Sequence, residues 1–189
     1  MVLIVASIGK SGSGKTVTIE YLIRQFSIEG YNVGAIKHVH HRGFTIDTEG
    51  KNTWRYAQAG AKVVAAISPN EIAIIKKTAQ NTDNLEEIIE TLKRESLDIL
   101  FIEGYHKLIS KRVDILKILT AKDEACLQEL LTETVEPILA ISGLIAKDLE
   151  KKSITQKYPI VKIPEEGKQL VNLIKQQMII NKAEKREVS

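Results

Sequence analysis

Lys15 and Thr16 close the octapeptide Gly9-Lys10-Ser11-Gly12-Ser13-Gly14-Lys15-Thr16. An ammonium beside a hydroxyl at the end of a glycine-rich run is suited to phosphate chemistry. Three glycines and two serines make poor strand or helix. What they permit is a backbone that curls until successive N–H groups point inward at phosphate oxygens. The run fits G-x-x-x-x-G-K-[ST] in the context that motif requires, an apolar strand before it and a helical pattern after it. In that arrangement Lys15 reaches the β- and γ-phosphates and Thr16 ligates Mg²⁺. The helix adds its unpaired N-terminal donors and the positive end of its dipole. The octapeptide predicts a nucleotide site.

A phosphate site needs an acid at the end of a neighbouring strand, to hold hydrated Mg²⁺. Glu103 ends the apolar run Leu97 to Ile102, at the carboxyl mouth where open α/β sheets bind ligands. Asp98, at the other end of that run, reads as a solvated strand start. Three of the four histidines fall in Lys37-His38-Val39-His40-His41. No cysteine joins them and their spacing matches no standard zinc site. They read either as a polar loop or, with Lys37, as contacts to an anionic ligand at the phosphate edge. Asp47 is open in the same way, as a further Mg²⁺ ligand or as a turn aspartate before Gly50.

These residues need a scaffold, and the rest of the chain supplies its pattern. Val2 to Ile8, Asn32 to Ile36, Leu97 to Ile102, Lys111 to Leu119, Pro137 to Ile141 and Tyr158 to Ile163 read as strands. Lys62 to Ile67 and Glu71 to Lys76 read as a hairpin about Pro69-Asn70. Helical patterns cover Thr16 to Phe26, Thr53 to Ala59, a stretch from Asp83 with Glu86 as its capping-box partner, Glu124 to Leu131 and Glu165 to Met178. Strands alternating with helices predict a three-layer α/β fold with a mainly parallel sheet flanked by helices. Residues 1–180 are expected to form one nucleotide-binding domain, with 181–189 a frayed charged tail.

Composition narrows the partners. The 189 residues are 43% hydrophobic and 27% charged, ordinary for a soluble globular protein. A net charge of +3, evenly spread, argues against a nucleic-acid surface. One cysteine, Cys126, leaves no disulfide framework. No apolar run approaches the roughly 20 residues of a membrane span. The opening strand lacks a signal peptide's basic leader and cleavage site. A cytoplasmic protein is expected.

The segments IKHVHHRGFTID, EGKNTWRYAQAGA and LDILFIEGY follow GKSGSGKT in that order. Together they resemble the MobB family of molybdopterin-guanine dinucleotide biosynthesis adaptor proteins, from Met1 to about Gly143, and VEPILAIS fits that family's late strand. The loop also resembles the SIMIBI variant, in which a second lysine, here Lys10, contacts phosphate across a dimer; a solvated loop lysine is an equal reading. The resemblance implies a homodimeric P-loop protein that binds GTP with Mg²⁺, hydrolyses it slowly and assists a MobA-type guanylyltransferase, with molybdopterin as a further partner. Phosphate binding is implied for Gly9, Lys10, Ser11, Gly12, Ser13, Gly14, Lys15 and Thr16. Lys15, Asp47 and Glu103 are implied as the catalytic set, and Thr16, Asp47 and Glu103 as the metal set. His38, His40, His41, Gly50 and Lys51 share only the family signature. Asn52, His106 and Ser110 depart from the pattern, where aspartate, lysine and proline are usual. No N-K-x-D base-reading motif occurs, so guanine preference rests on the resemblance alone. The rival reading is a small-molecule or nucleotide kinase, whose arginine-rich lid the scattered Arg24, Arg42, Arg55, Arg94, Arg112 and Arg186 do not supply.

Overall fold

In a computed structural model of the chain, which describes residues 2–41, 43–78, 84–148 and 157–188, the first apolar run is strand β1 (Leu3–Ile8), buried along its whole length. It lies in the middle of a five-stranded sheet with β2 (Val33–Lys37), β5 (Ile99–Glu103), β6 (Leu116–Thr120) and β7 (Ile138–Ser142). The order is β2-β5-β1-β6-β7 and every pairing is parallel. A parallel strand in mid-sheet is covered on both faces, which is why β1 is apolar at every position rather than at alternate ones. On one face Leu3, Val5, Ile99, Phe101 and Ile118 pack against α1 (Lys15–Ile28) and α7 (Gly167–Val188), through Leu22, Phe26, Leu170 and Ile174. Ile4, Ala6, Leu100 and Ile102 alternate with them and are equally buried, so they face the other side.

By its internal packing the chain divides into two compact units, residues 1–38 with 91–189 and the insert Val39–Glu90. The five-stranded sheet belongs to the first. The insert holds α2 (Asn52–Gln58), then β3 (Val63–Ile67) and β4 (Ile72–Lys76). These two strands form the expected antiparallel hairpin, with Ile67 opposite Ile72. The hairpin closes through the Ser68 N–H, which donates to the Glu71 carbonyl at 2.8 Å.

Several elements differ from the pattern. The strand expected from Lys111 begins only at Leu116. Arg112 and Asp114 pair at 2.5 Å, and the buried Lys117 ammonium donates back to the carbonyls of Arg112 and Ile115. This curls the segment before it can pair, and burial pushes the Lys117 pKa down. Tyr158 to Ile163 makes a single bridge, Ile160 to Ile141, because Pro159 and Pro164 lack the N–H a ladder needs. The last helix runs past Met178 to Val188, through residues expected to be a charged tail. Helix α3 (Leu85–Leu92) is present, whereas its expected cap, Asp83, lies outside the described residues. The remaining helix, α5 (Glu124–Glu133), is capped by Asp123, whose carboxylate accepts from the Cys126 N–H. Two one-turn helices, α4 (His106–Ile109) and α6 (Ile145–Asp148), are too short for helical periodicity to register.

Candidate functional site

The sheet register sets the site. Ser7 of β1 and Lys37 of β2 both lie level with Glu103 of β5. Side chains at matched positions of parallel strands share a face, here the face on which α1 packs. Thr16 stands in the first turn of α1, and its hydroxyl donates to Glu103 Oε1 at 2.9 Å. The Lys37 ammonium lies 3.2 Å from Oε1 and 3.3 Å from Oε2 of the same carboxylate, and 3.5 Å from the Thr16 hydroxyl. Glu103 is mostly enclosed, its side chain 13% exposed against 58% for Lys37. The Ser7 hydroxyl is buried with no hydrogen-bond partner.

The octapeptide lies beside this cluster. Gly14 hands over to α1 at Lys15, and the Thr18 N–H is the one that returns to the Gly14 carbonyl, at 3.0 Å. The N–H groups ahead of it have no acceptor inside the helix, so they are available to an anion. The Lys15 ammonium folds back across the loop onto the carbonyls of Gly9 (3.0 Å) and Lys10 (2.7 Å). Burial pushes its pKa down and Lys37 adds to the effect, while Glu103 opposes both. An ammonium held by neutral carbonyls near an array of free N–H donors is well disposed to take a phosphate.

The loop rests on the ends of β6 and β7, a support the motif did not disclose. The Ser13 and Thr120 hydroxyls are 3.1 Å apart, and Thr120 also donates to the Ile8 carbonyl at 3.1 Å. The Leu144 N–H donates to the Ser13 carbonyl at 3.2 Å. Gly143 packs so closely that a Cβ there would stand 2.3 Å from the Ser13 carbonyl oxygen and 2.7 Å from that of Ala121. A Cβ on Gly9 would stand 2.0 Å from the Thr120 carbonyl oxygen. Thr120 left a trace in the sequence, a hydroxyl residue ending a buried strand. Gly143 left none, because its partners are distant in the chain.

The other expected residues have these places. Lys10 pairs with Glu129 of α5, a contact that raises its pKa. The His38 ring lies flat on Tyr105, with centroids 4.0 Å apart and planes 10° apart. Tyr105 is buried and takes the uncommon positive φ of 53°. His40, His41 and Asp47 lie in the insert, the two histidines exposed. One Asp47 oxygen, Oδ1, accepts from the Thr53 hydroxyl at 2.8 Å and the Thr48 N–H at 2.9 Å. The other, Oδ2, is buried with no hydrogen-bond partner, an expensive state for a carboxylate oxygen. A cation would relieve it. Hydroxyl and carboxylate oxygens, as on Thr16 and Glu103, are the donors Mg²⁺ takes. Among the described residues, no three His, Cys, Asp or Glu side chains gather as metal ligands.

Comparison with known proteins agrees with this architecture. Residues 4–140 match the family model for MobB, molybdopterin guanine dinucleotide synthesis protein B. A molybdopterin-guanine dinucleotide biosynthesis adapter protein from Haemophilus influenzae is 33% identical over 134 residues, 71% of this chain and 70% of its own. A probable adapter of the same description from Bacillus subtilis is 37% identical over 114 residues, 60% of this chain and 64% of its own. The crystal structure of Bacillus subtilis MobB superposes with a TM-score of 0.72 at 29% identity, over 93% of this chain and 97% of that one.

Proposed function

The chain belongs to the MobB family, and on that premise we propose that it is an adapter in molybdopterin guanine dinucleotide biosynthesis that binds GTP with Mg²⁺ and hydrolyses it slowly. The observation that carries the nucleotide part is the convergence of Thr16, Glu103 and Lys37 beside a strand–loop–helix phosphate loop. In this reading the loop N–H groups and the start of α1 cradle the β-phosphate, and Lys15 exchanges its two carbonyl partners for β- and γ-phosphate oxygens. Thr16 and Glu103 would hold Mg²⁺, which when bound neutralises charge on the phosphates. Only positioning and electrostatics are then asked of the protein, in keeping with slow turnover.

The adapter part requires a partner, a guanylyltransferase that joins GMP to molybdopterin, and a homodimer in the cytoplasm suits that role. No described helix is long and apolar enough to cross a membrane. Calorimetry with GTP and ATP, paired with co-purification and activity assays on the guanylyltransferase, tests both parts. GTP is expected to bind more tightly than ATP, and transferase output to rise when the protein is added. Equal affinity or a preference for ATP would shift weight to a kinase. An unaltered transferase would remove the adapter role.

A further inference from the structure

Lys37 ends β2, level with Glu103 of β5. Its ammonium contacts both oxygens of Glu103, the carboxylate that already accepts from the Thr16 hydroxyl. Those two side chains form the pair that, in the reading above, would receive Mg²⁺. We propose that Lys37 is a tethered cation holding the divalent-metal seat until nucleotide arrives, so that metal binding depends on nucleotide binding. The proposal rests on the metal reading of Thr16 and Glu103 but concerns the nucleotide-free protein.

Three features support it. Glu103 is largely withdrawn from solvent, so its charge must be answered by neighbours; Lys15 acts on it, and the ammonium in direct contact is Lys37. An ammonium and a divalent ion cannot share the same two oxygens at about 3 Å without strong repulsion, so their occupancy is exclusive. The Lys37 side chain is more than half exposed, and a long flexible stem can swing its charged end away without disturbing the core. What it needs is another anion within reach. The phosphates of a nucleotide on the adjoining loop supply one, at a group already 3.5 Å from the Thr16 hydroxyl. Nucleotide thereby frees Glu103 for metal, and without nucleotide Lys37 keeps the metal out.

Mn²⁺ titration of the nucleotide-free protein, followed by electron paramagnetic resonance, reads this directly. The Lys37→Met variant is expected to bind Mn²⁺ roughly ten-fold more tightly than the unsubstituted protein, the scale of one charge-assisted contact removed from competition. Adding Glu103→Gln should abolish that gain. Adding GTP should tighten Mn²⁺ binding strongly in the unsubstituted protein and much less in Lys37→Met. Lys37→Gln carries the same expectation should Lys37→Met not fold. Equal nucleotide-free affinities with and without Lys37, or a gain that survives Glu103→Gln, would overturn the proposal. Failure of GTP to bind would count against the nucleotide reading, and the nucleotide-free comparison would still decide the role of Lys37.

Discussion

Gly143→Ala places a methyl group behind the phosphate loop and should reveal how rigidly that loop is backed. Gly143 has φ +97°, and its Cβ would fall 2.3 Å from the Ser13 carbonyl oxygen, 2.7 Å from the Ala121 carbonyl oxygen and 3.0 Å from the Ala121 nitrogen. All three are backbone atoms, so no side chain can swing aside. A left-handed backbone costs an L-residue roughly 1–2 kcal/mol, and overpacking adds roughly 1–3 kcal/mol. The expected loss is therefore about 2–5 kcal/mol, a large share of the roughly 5–15 kcal/mol that holds a typical domain folded. Gly30→Ala is the control. Its φ is +84° and nothing lies within 4 Å of the added Cβ, so only the roughly 1–2 kcal/mol backbone term applies. Urea unfolding of both variants measures the difference, and GTP calorimetry detects strain relieved by pushing Ser13 out of place. The reasoning is refuted if Gly143→Ala is no less stable than Gly30→Ala and binds GTP normally.

Lys15→Ala should weaken GTP binding by about one to two orders of magnitude, since a charge-assisted phosphate contact is worth roughly 1.5–3 kcal/mol; calorimetry checks it. Burial lowers the Lys15 pKa below the ordinary 10.5, and phosphate contact should raise it again. Between the free and bound pKa values the complex holds the extra proton, so binding takes up a proton and affinity falls as alkaline pH rises through that window. Calorimetry in buffers of different ionisation enthalpy measures the uptake, which Lys15→Ala should abolish. Joint replacement of His40 and His41 by alanine is expected to impair either GTP binding or support of the guanylyltransferase, according to which anion they serve; stoichiometric zinc by elemental analysis would contradict an anion-binding role.

Most of the sheet was legible because burial on both faces writes itself as unbroken apolar runs, as in Leu3–Ile8 and Ile99–Glu103. Glu103 was legible for a related reason, as the one carboxylate where such a run stops at the ligand edge. The start of β6 was not. Its delay to Leu116 depends on where the Lys117 ammonium finds carbonyls, a tertiary choice that leaves no periodic mark. The site divides in the same way. Lys15 and Thr16 announce themselves by local spacing. The meeting of Lys37 with Glu103 is a matter of strand register, and the support from Thr120 and Gly143 comes from strands that follow more than a hundred residues after the loop.

The central place of β1 has a consequence for how the chain is made. Leu3 pairs with Ile99 and Val5 with Leu116, so neither edge of the middle strand finds its neighbour until more than ninety residues have followed it. At roughly 5–20 residues per second, a ribosome needs on the order of 5–20 s to deliver them. For that interval an uncharged apolar strand waits with both edges open, the kind of segment that pairs wrongly with other chains. The helix that follows at once offers partial shelter, since Leu22 and Phe26 join the cluster that covers Leu3 and Val5. The nascent chain can therefore hide one face of its future sheet centre by local contacts alone, long before the sheet exists.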